Sequence, residues 1–170
     1  MHALLQVPGY AQATYEARAQ LEGQSDAEVA AAVAKRIAKQ TLLYEQGHRF
    51  EFLMTEAGLR WRFVPHQVMA AQLDHLAQVA RMPNVLVGII PTEIEMPVWG
   101  WHGFSAFLER ADDAEDLVLV ETLTTPVPVR NPVEVTRYQE AFTRLRDAAV
   151  QGEAALALLE RLAAEIRGQG

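Results

Sequence analysis

The amino-acid sequence predicts one α+β domain over residues 1–170, with a small mixed sheet of about four strands flanked by helices. Apolar residues recur with helical spacing in five stretches, and short alternating or continuous apolar runs between them indicate strands. A chain of 170 residues can bury a sizeable core without a disulfide or metal staple. The predicted order is two helices, a strand, a helix, three strands and two closing helices.

Two helices are predicted at the start of the chain. A stripe of apolar residues beginning at Tyr10 predicts the first helix, and Gly23 can end it. Ser25 and Glu28 form a capping box, in which each side chain can pair with a backbone N–H at the helix start. We expect this second helix to run to about Gln46.

The next region has the pattern of a strand, a helix and a strand. Residues 50–54 alternate as a half-buried strand does, and residues 56–64 are predicted to turn. Pro65 suits the start of a helix. The apolar run 85–90 predicts a buried strand, so this region is typical of a right-handed parallel crossover.

The middle of the chain predicts two more strands, which we expect to pair antiparallel. They cover residues 104–108 and 117–120, with an acidic hairpin loop at 112–116 between them. Three prolines within residues 124–132 predict that no regular structure forms there.

The last part of the chain predicts two antiparallel helices that close the domain. Apolar residues over 135–149 and 155–166 repeat with nearly coiled-coil spacing. Packing of the two helices on each other explains this spacing, and a homodimer interface is the alternative.

The composition excludes several classes of protein. The chain has no cysteine, which excludes disulfide scaffolds, zinc fingers and thiolate nucleophiles. It has 15 basic and 22 acidic side chains, and only two of the basic ones are lysines, so we expect no direct contact with nucleic acid. No phosphate loop, zinc-protease motif, nucleophile elbow or dinucleotide fingerprint is present, and we assign no cofactor or metal.

The sequence carries no sign of a membrane or secretory segment. Its longest apolar run is far shorter than the roughly 20 residues of a membrane helix, and no basic stretch precedes an apolar one at the N-terminus. We therefore expect a cytoplasmic protein that does not contact a membrane.

The most unusual segment, residues 92–103, combines tryptophans, carboxylates and a histidine. In an extended chain Trp99 and Trp101 would face the same way and His102 the opposite way. Flat indoles and an imidazole could form the wall of a ligand pocket. The alternative is a connection between strands whose indoles cover the end of the core.

An enzyme would draw its acid and base from this region. His102 is the first candidate, and Glu121 or Glu95 is the candidate carboxylate. Burial would shift the pKa of that carboxylate. Glu121 follows an apolar strand, so it marks an exposed strand end, meets an arginine, or serves as a pocket acid.

Other polar residues have a structural and a functional interpretation. Arg36 on the second helix is either an ion-pair partner at the edge of the core or a ligand contact. Glu56 is either part of a helix cap or a pocket acid. His66 and His75 are nine residues apart, which does not form a metal pair on a helix, so we interpret them as structural or exposed.

Several segments together resemble one known family. They are Leu5-Gln6-Val7-Pro8-Gly9-Tyr10, Arg36 with Gln40, the segment 54–60, the segment 68–73 with Pro83-Asn84-Val85, and Pro132-Val133-Glu134-Val135 with Tyr138 and 142–146. This pattern resembles the C-terminal domain of actinobacterial XRE-type, antitoxin-like helix-turn-helix regulators, and the resemblance covers nearly the whole chain. Residues 93–103 stand where that family has a stretch with glycine and histidine.

The resemblance implies a sensing or partner-binding module that follows a DNA-binding domain and is often encoded beside a small partner protein. No helix-turn-helix is recognisable in this chain. The leading hypothesis is therefore an effector- or partner-binding domain, the excised C-terminal half of a transcriptional regulator. Its ligand is either a small molecule or a small protein. A small molecule would be bound by Trp99, Trp101, His102 and Arg36. The alternatives are a standalone enzyme of small-molecule metabolism and a dimerisation module.

Overall fold

A computed structural model describes residues 1–99, 102–108 and 115–169. The predicted α+β class is confirmed. The helices in these residues are α1 Pro8–Glu22, α2 Asp26–Ala38, α3 Glu56–Arg60, α4 His66–Val79, α5 Pro132–Ala148 and α6 Glu153–Arg167. The strands are β1 Phe50–Thr55, β2 Val85–Ile90, β3 Phe104–Phe107, β4 Leu117–Val120 and β5 Val127–Val129.

The chain divides into two compact units. The first unit comprises Met1–Thr92 with Val150–Gly170, and the second comprises Glu93–Ala149. The strands accordingly form two sheets, whereas the sequence predicted one mixed sheet. A parallel pair lies in the first unit, and an antiparallel sheet of three strands lies in the second.

The sheet of the first unit confirms the predicted parallel crossover. Phe50 lies opposite Val85, and the register continues along the two strands β1 and β2. After the chain returns from the second unit, Val150 exchanges two backbone hydrogen bonds with Ile89, at 2.9 and 3.0 Å. This antiparallel bridge fixes the chain to β2 just before α6 begins.

The core of the first unit lies between α4, α6 and the parallel sheet. Leu73 and Leu76 on α4 and Leu159 and Leu162 on α6 are at most 1% exposed. Burying a leucine contributes about 2 kcal/mol, so this contact is a main source of the unit's stability. The helix that packs along α6 is thus α4, whereas the sequence suggested the preceding helix, α5.

Local sequence signals account for the boundaries of the helices. The predicted capping box is present, since Ser25 and Glu28 each accept from the other's backbone N–H. Gly23 ends α1 with a φ of 70°, which a glycine adopts without strain. The α-helical part of α2 ends earlier than predicted, and Lys39–Tyr44 continues as a tighter 3-10 helix. Within the predicted turn 56–64, Glu56–Arg60 instead forms a short helix, which the Thr55 side chain caps.

The second unit contains β3, β4 and β5 in that order, with α5 in contact with β4. The prediction that residues 124–132 form no regular structure was wrong, because Val127–Val129 pairs with β4. Pro128 is tolerated because β5 is an edge strand, where a residue without an N–H need not remove a hydrogen bond between strands. Most of the predicted acidic loop lies outside the described residues. Among the helices that the structure describes, none is long and apolar enough to cross a membrane.

Candidate functional site

His102 and Tyr138 form a polar pair within the second unit. His102 stands two residues before β3, and α5 presents Tyr138 to it, so that imidazole Nε2 lies 3.3 Å from the phenol oxygen. The Tyr138 ring also packs on Phe104, with centroids 4.9 Å apart. His102 itself is exposed to solvent, while Tyr138 is half-buried.

Glu121 lies beside the same end of the sheet. Its backbone N–H donates to the Gly103 carbonyl at 2.8 Å, which extends the pairing of β3 and β4 by one step. A Cβ built on Gly103 would lie 2.9 Å from Glu121 Oε2, so the glycine leaves room for the carboxylate. The structure therefore brings Glu121 next to the residue that follows His102, at an exposed strand end as one interpretation proposed.

Trp99, one of the two indoles predicted to line a ligand pocket, is open to solvent. Trp99 is 85% exposed, and Glu95 is exposed as well. Trp101, the other indole of that prediction, lies outside the described residues. His102 of this segment is placed against a residue of another element, Tyr138.

Arg36 occupies a partly buried position in the first unit, with two defined contacts. Its Nη1 donates to Gln6 Oε1 at 2.7 Å, and its guanidinium carbon lies 4.3 Å from the centre of the Tyr15 ring. Among the described residues no carboxylate pairs with Arg36, so the predicted ion pair at the edge of the core is replaced by contacts with an amide and an aromatic face. A guanidinium has five N–H donors, and the hydrogen bond to Gln6 uses one of them.

A set of buried amides surrounds the N-terminal segment, and sequence analysis did not identify it. Gln72 donates to the Leu5 carbonyl at 2.6 Å and accepts from Val7 N–H at 2.8 Å. Gln40 donates to the Gln6 carbonyl at 2.6 Å. Gln6, Gln40 and Gln72 all lie within the segments that carry the family resemblance. That resemblance is the signal in the sequence that could have pointed to these residues.

Glu56 is buried in an ion pair. It is 3% exposed, and its carboxylate accepts from Arg60 at 2.8 Å and from Thr92 N–H at 3.3 Å. Burial raises the pKa of Glu56, but the hydrogen bonds from Arg60 and Thr92 and the charge of Arg60 outweigh it, so the pKa lies below its ordinary value. Since Arg60 also binds Glu165 at 2.8 Å, the group joins α3, the segment after β2 and α6.

The histidines outside the second unit have structural surroundings. His66 Nε2 lies 2.7 Å from Arg62 Nη2, and His75 is half-buried on α4. The buried Nε2 of His75 has no hydrogen-bond partner, and burial lowers the pKa of this imidazole. Within the described ranges, no three His, Asp or Glu side chains are arranged to hold a metal ion.

The lowered pKa of His75 predicts acid sensitivity. Because the unfolded chain binds this proton more tightly than the folded one, stability falls as the pH drops below the ordinary value of 6.5. The slope from one proton is at most about 1.4 kcal/mol per pH unit. We expect His75→Gln to flatten the dependence between pH 7 and 5, measured by urea unfolding.

His48 supplies the matched control, since it is exposed in the same unit. His48→Gln removes the same kind of titrating group and should leave the slope close to that of the wild type. Parallel curves for the wild type and His75→Gln would contradict the assignment.

Comparison with known proteins identifies the family. No curated protein and no solved structure matches the chain significantly. A family profile described as "Domain of unknown function (DUF5753)" matches residues 1–161, which include both units almost entirely. The chain therefore belongs to the DUF5753 family of domains.

Proposed function

We propose that the chain is a partner-binding regulatory domain of an XRE-type helix-turn-helix transcriptional regulator and acts in the cytoplasm. The resemblance to the C-terminal domains of such regulators supports this, since it extends along nearly the whole chain. The partner is a small basic protein, and the second unit provides the surface that binds it.

The observation that carries this proposal is the exposure of large apolar side chains in the second unit. Eight of them are at least 38% exposed: Ile94, Met96, Trp99, Phe107, Leu108, Leu123, Val127 and Val133. Leu123 and Trp99 are exposed by 81% and 85%. Exposed apolar surface of this kind is characteristic of protein interaction sites, and aromatic anchors contribute most to their binding energy.

The charge of the second unit favours a basic partner. Residues 93–149 include eleven acidic and five basic side chains, a net charge of −6, while the whole chain has a net charge of −7. Almost all of the excess negative charge therefore lies in the unit that exposes these eight side chains. Such a field accelerates association with a positively charged protein and disfavours an acidic one.

The environment of the proposed acid-base residues favours binding over catalysis. His102, Glu121 and Glu95 are all exposed. Acid-base catalysis gains most in a site that excludes water and fixes its groups. We therefore assign the His102–Tyr138 pair to the packing of the second unit, although the enzyme hypothesis would place its chemistry there.

Binding can be tested with a small basic protein encoded beside this chain, since the resemblance implies that such a partner is often encoded there. We expect a one-to-one complex by light scattering, and we expect Leu123→Ser with Trp99→Ser to weaken it by about 100-fold in isothermal titration. Leu21→Ser is the control, because Leu21 is 73% exposed but lies in the first unit. It should change the affinity by less than about twofold.

Two results would overturn this proposal. One is an equal loss of affinity in the Leu21 control and in the double variant, which would mean that the second unit is not the binding surface. The other is a stable dimer of the chain alone that the double variant breaks, which would assign the apolar surface to self-association.

A further inference from the structure

Three cations on α2 and just after it surround a cavity in the first unit. Lys35, Arg36 and Lys39 line a space of about 300 Å³, together with Ala3, Leu4 and Tyr15. The two lysines are the only ones in the sequence, and the chain as a whole is acidic. A volume near 300 Å³ is at the lower end of the range for small-molecule sites.

These cations differ from most of the other basic residues of the first unit, although Arg62 also contacts a histidine and not a carboxylate. Six arginines there lie within 4.0 Å of a carboxylate: Arg18, Arg49, Arg60, Arg81, Arg161 and Arg167. Within the described residues, no carboxylate comes that close to Lys35, Arg36 or Lys39. The positive charge around the cavity is therefore not neutralised there by the described part of the protein.

The neighbouring charges repel one another. Lys35 and Lys39 are four residues apart, which places like charges side by side on a helix and destabilises it slightly. Their position near the C-terminal end of α2 offsets part of this cost, since the helix dipole favours cations there. A bound anion would remove the remaining repulsion.

Arg36 is held in position to receive such an anion. Gln6, which accepts its hydrogen bond, is 3% exposed and donates in turn to the Met1 carbonyl at 3.0 Å. The Tyr15 ring also contacts the guanidinium, whose central carbon lies 4.3 Å from the centre of the ring. A planar guanidinium fixed in this way loses little freedom when it forms paired hydrogen bonds with a carboxylate or a phosphate.

We propose that this cavity binds a small organic anion through a carboxylate or phosphate group. Arg36 forms the hydrogen bonds, and Lys35 and Lys39 at the exposed rim supply charge. This site lies in the first unit and does not depend on the protein-binding surface proposed for the second. It would give the domain a small-molecule effector in addition to a protein partner.

Titration calorimetry with citrate and with inorganic phosphate, at constant ionic strength, tests the proposal. We expect saturable one-site binding of at least one probe to the wild type. Lys35→Gln with Lys39→Gln should weaken it by about tenfold or more, since each lost charge contact contributes a severalfold change. Arg36→Lys keeps the charge but loses the paired donors, and it should weaken binding as well.

The control is Arg49→Gln with Arg81→Gln, which removes two exposed cations of the same unit that do not line the cavity. It should change the affinity by less than about twofold, because distant exposed charges are screened. Binding of citrate alone would identify a carboxylate ligand, and binding of phosphate alone a phosphorylated one; either supports the site. Absence of saturable binding, or an equal loss in the control, would overturn it.

Discussion

We expect Gln72→Leu to lower the free energy of unfolding by about 3 kcal/mol, one of the two largest effects predicted for this protein. Gln72 is completely buried on α4, and its side-chain amide satisfies both the Leu5 carbonyl and the Val7 N–H. Leucine has a similar size, so little cavity forms. The loss comes from the buried Leu5 carbonyl and the partly buried Val7 N–H, which are left without hydrogen-bond partners at a cost of about 1–3 kcal/mol for a buried group.

Gln78 provides the matched control, because it is an exposed glutamine on the same helix. Gln78→Leu should change the stability by less than about 0.5 kcal/mol. Urea unfolding gives both values, and amide hydrogen exchange at Val7 reports the local opening that only the Gln72 variant should cause. A Gln72→Leu protein within about 1 kcal/mol of the wild type would show that water replaces the lost bonds.

Much of the secondary structure could be predicted because its signals are local. The capping box at Ser25 and Glu28 fixed the start of α2, and the apolar run at 85–90 indicated a buried strand. The parallel pairing of this strand with β1 followed from the helical region between them. Periodicity and capping reflect interactions over a few residues, which a sequence displays directly.

The elements that were missed depend on distant partners. Proline normally argues against a strand, but β5 forms because β4 offers an edge at which Pro128 needs no N–H donor. Gln72 bonds to residues 65 and 67 positions earlier in the chain, and nothing near it in the sequence indicates this. A buried glutamine cannot be distinguished from an exposed one until the fold brings its partners together.

The residues of the candidate sites also divide into those with local signals in the sequence and those that depend on distant partners. His102 and Glu121 lie at one end of the second sheet, because one precedes β3 and the other follows its antiparallel partner β4. The exposure of Trp99 could not be predicted, because an apolar residue in an irregular segment has no periodicity to indicate its direction. Arg36 was selected as a candidate residue, but its partner, the Gln6 amide 30 residues away, depends on tertiary structure.

The second large effect is expected at the buried ion pair. Arg60→Met should lower the free energy of unfolding at pH 7 by about 2–3 kcal/mol. Glu56 is 3% exposed, and after this change its carboxylate keeps only the weaker hydrogen bonds from Thr92, at 3.3 and 3.4 Å. Removing one member of a buried pair costs more than the pair contributes, because the remaining charge stays desolvated.

The loss in Arg60→Met should depend on pH in a direction that identifies its cause. In the wild type the pKa of Glu56 is lowered, so its stabilisation is present above the ordinary value of 4.5 and is lost as the pH falls through the folded value. Without Arg60, burial is opposed only by the Thr92 hydrogen bond and the charge of Arg161, so we expect the pKa of Glu56 to rise and the stabilisation above pH 4.5 to be lost. The difference between the two proteins should therefore be largest near pH 7 and shrink toward pH 4.

Arg81→Met separates this effect from the loss of an ordinary surface ion pair. Arg81 and Glu160 lie 3.2 Å apart with side chains 54% and 62% exposed, and such pairs contribute less than about 1 kcal/mol. In addition, Glu56→Gln combined with Arg60→Met replaces the stranded charge by a neutral amide and should recover part of the stability at pH 7. If the double variant is no more stable than Arg60→Met, the loss arises from packing of the arginine side chain and not from the buried charge.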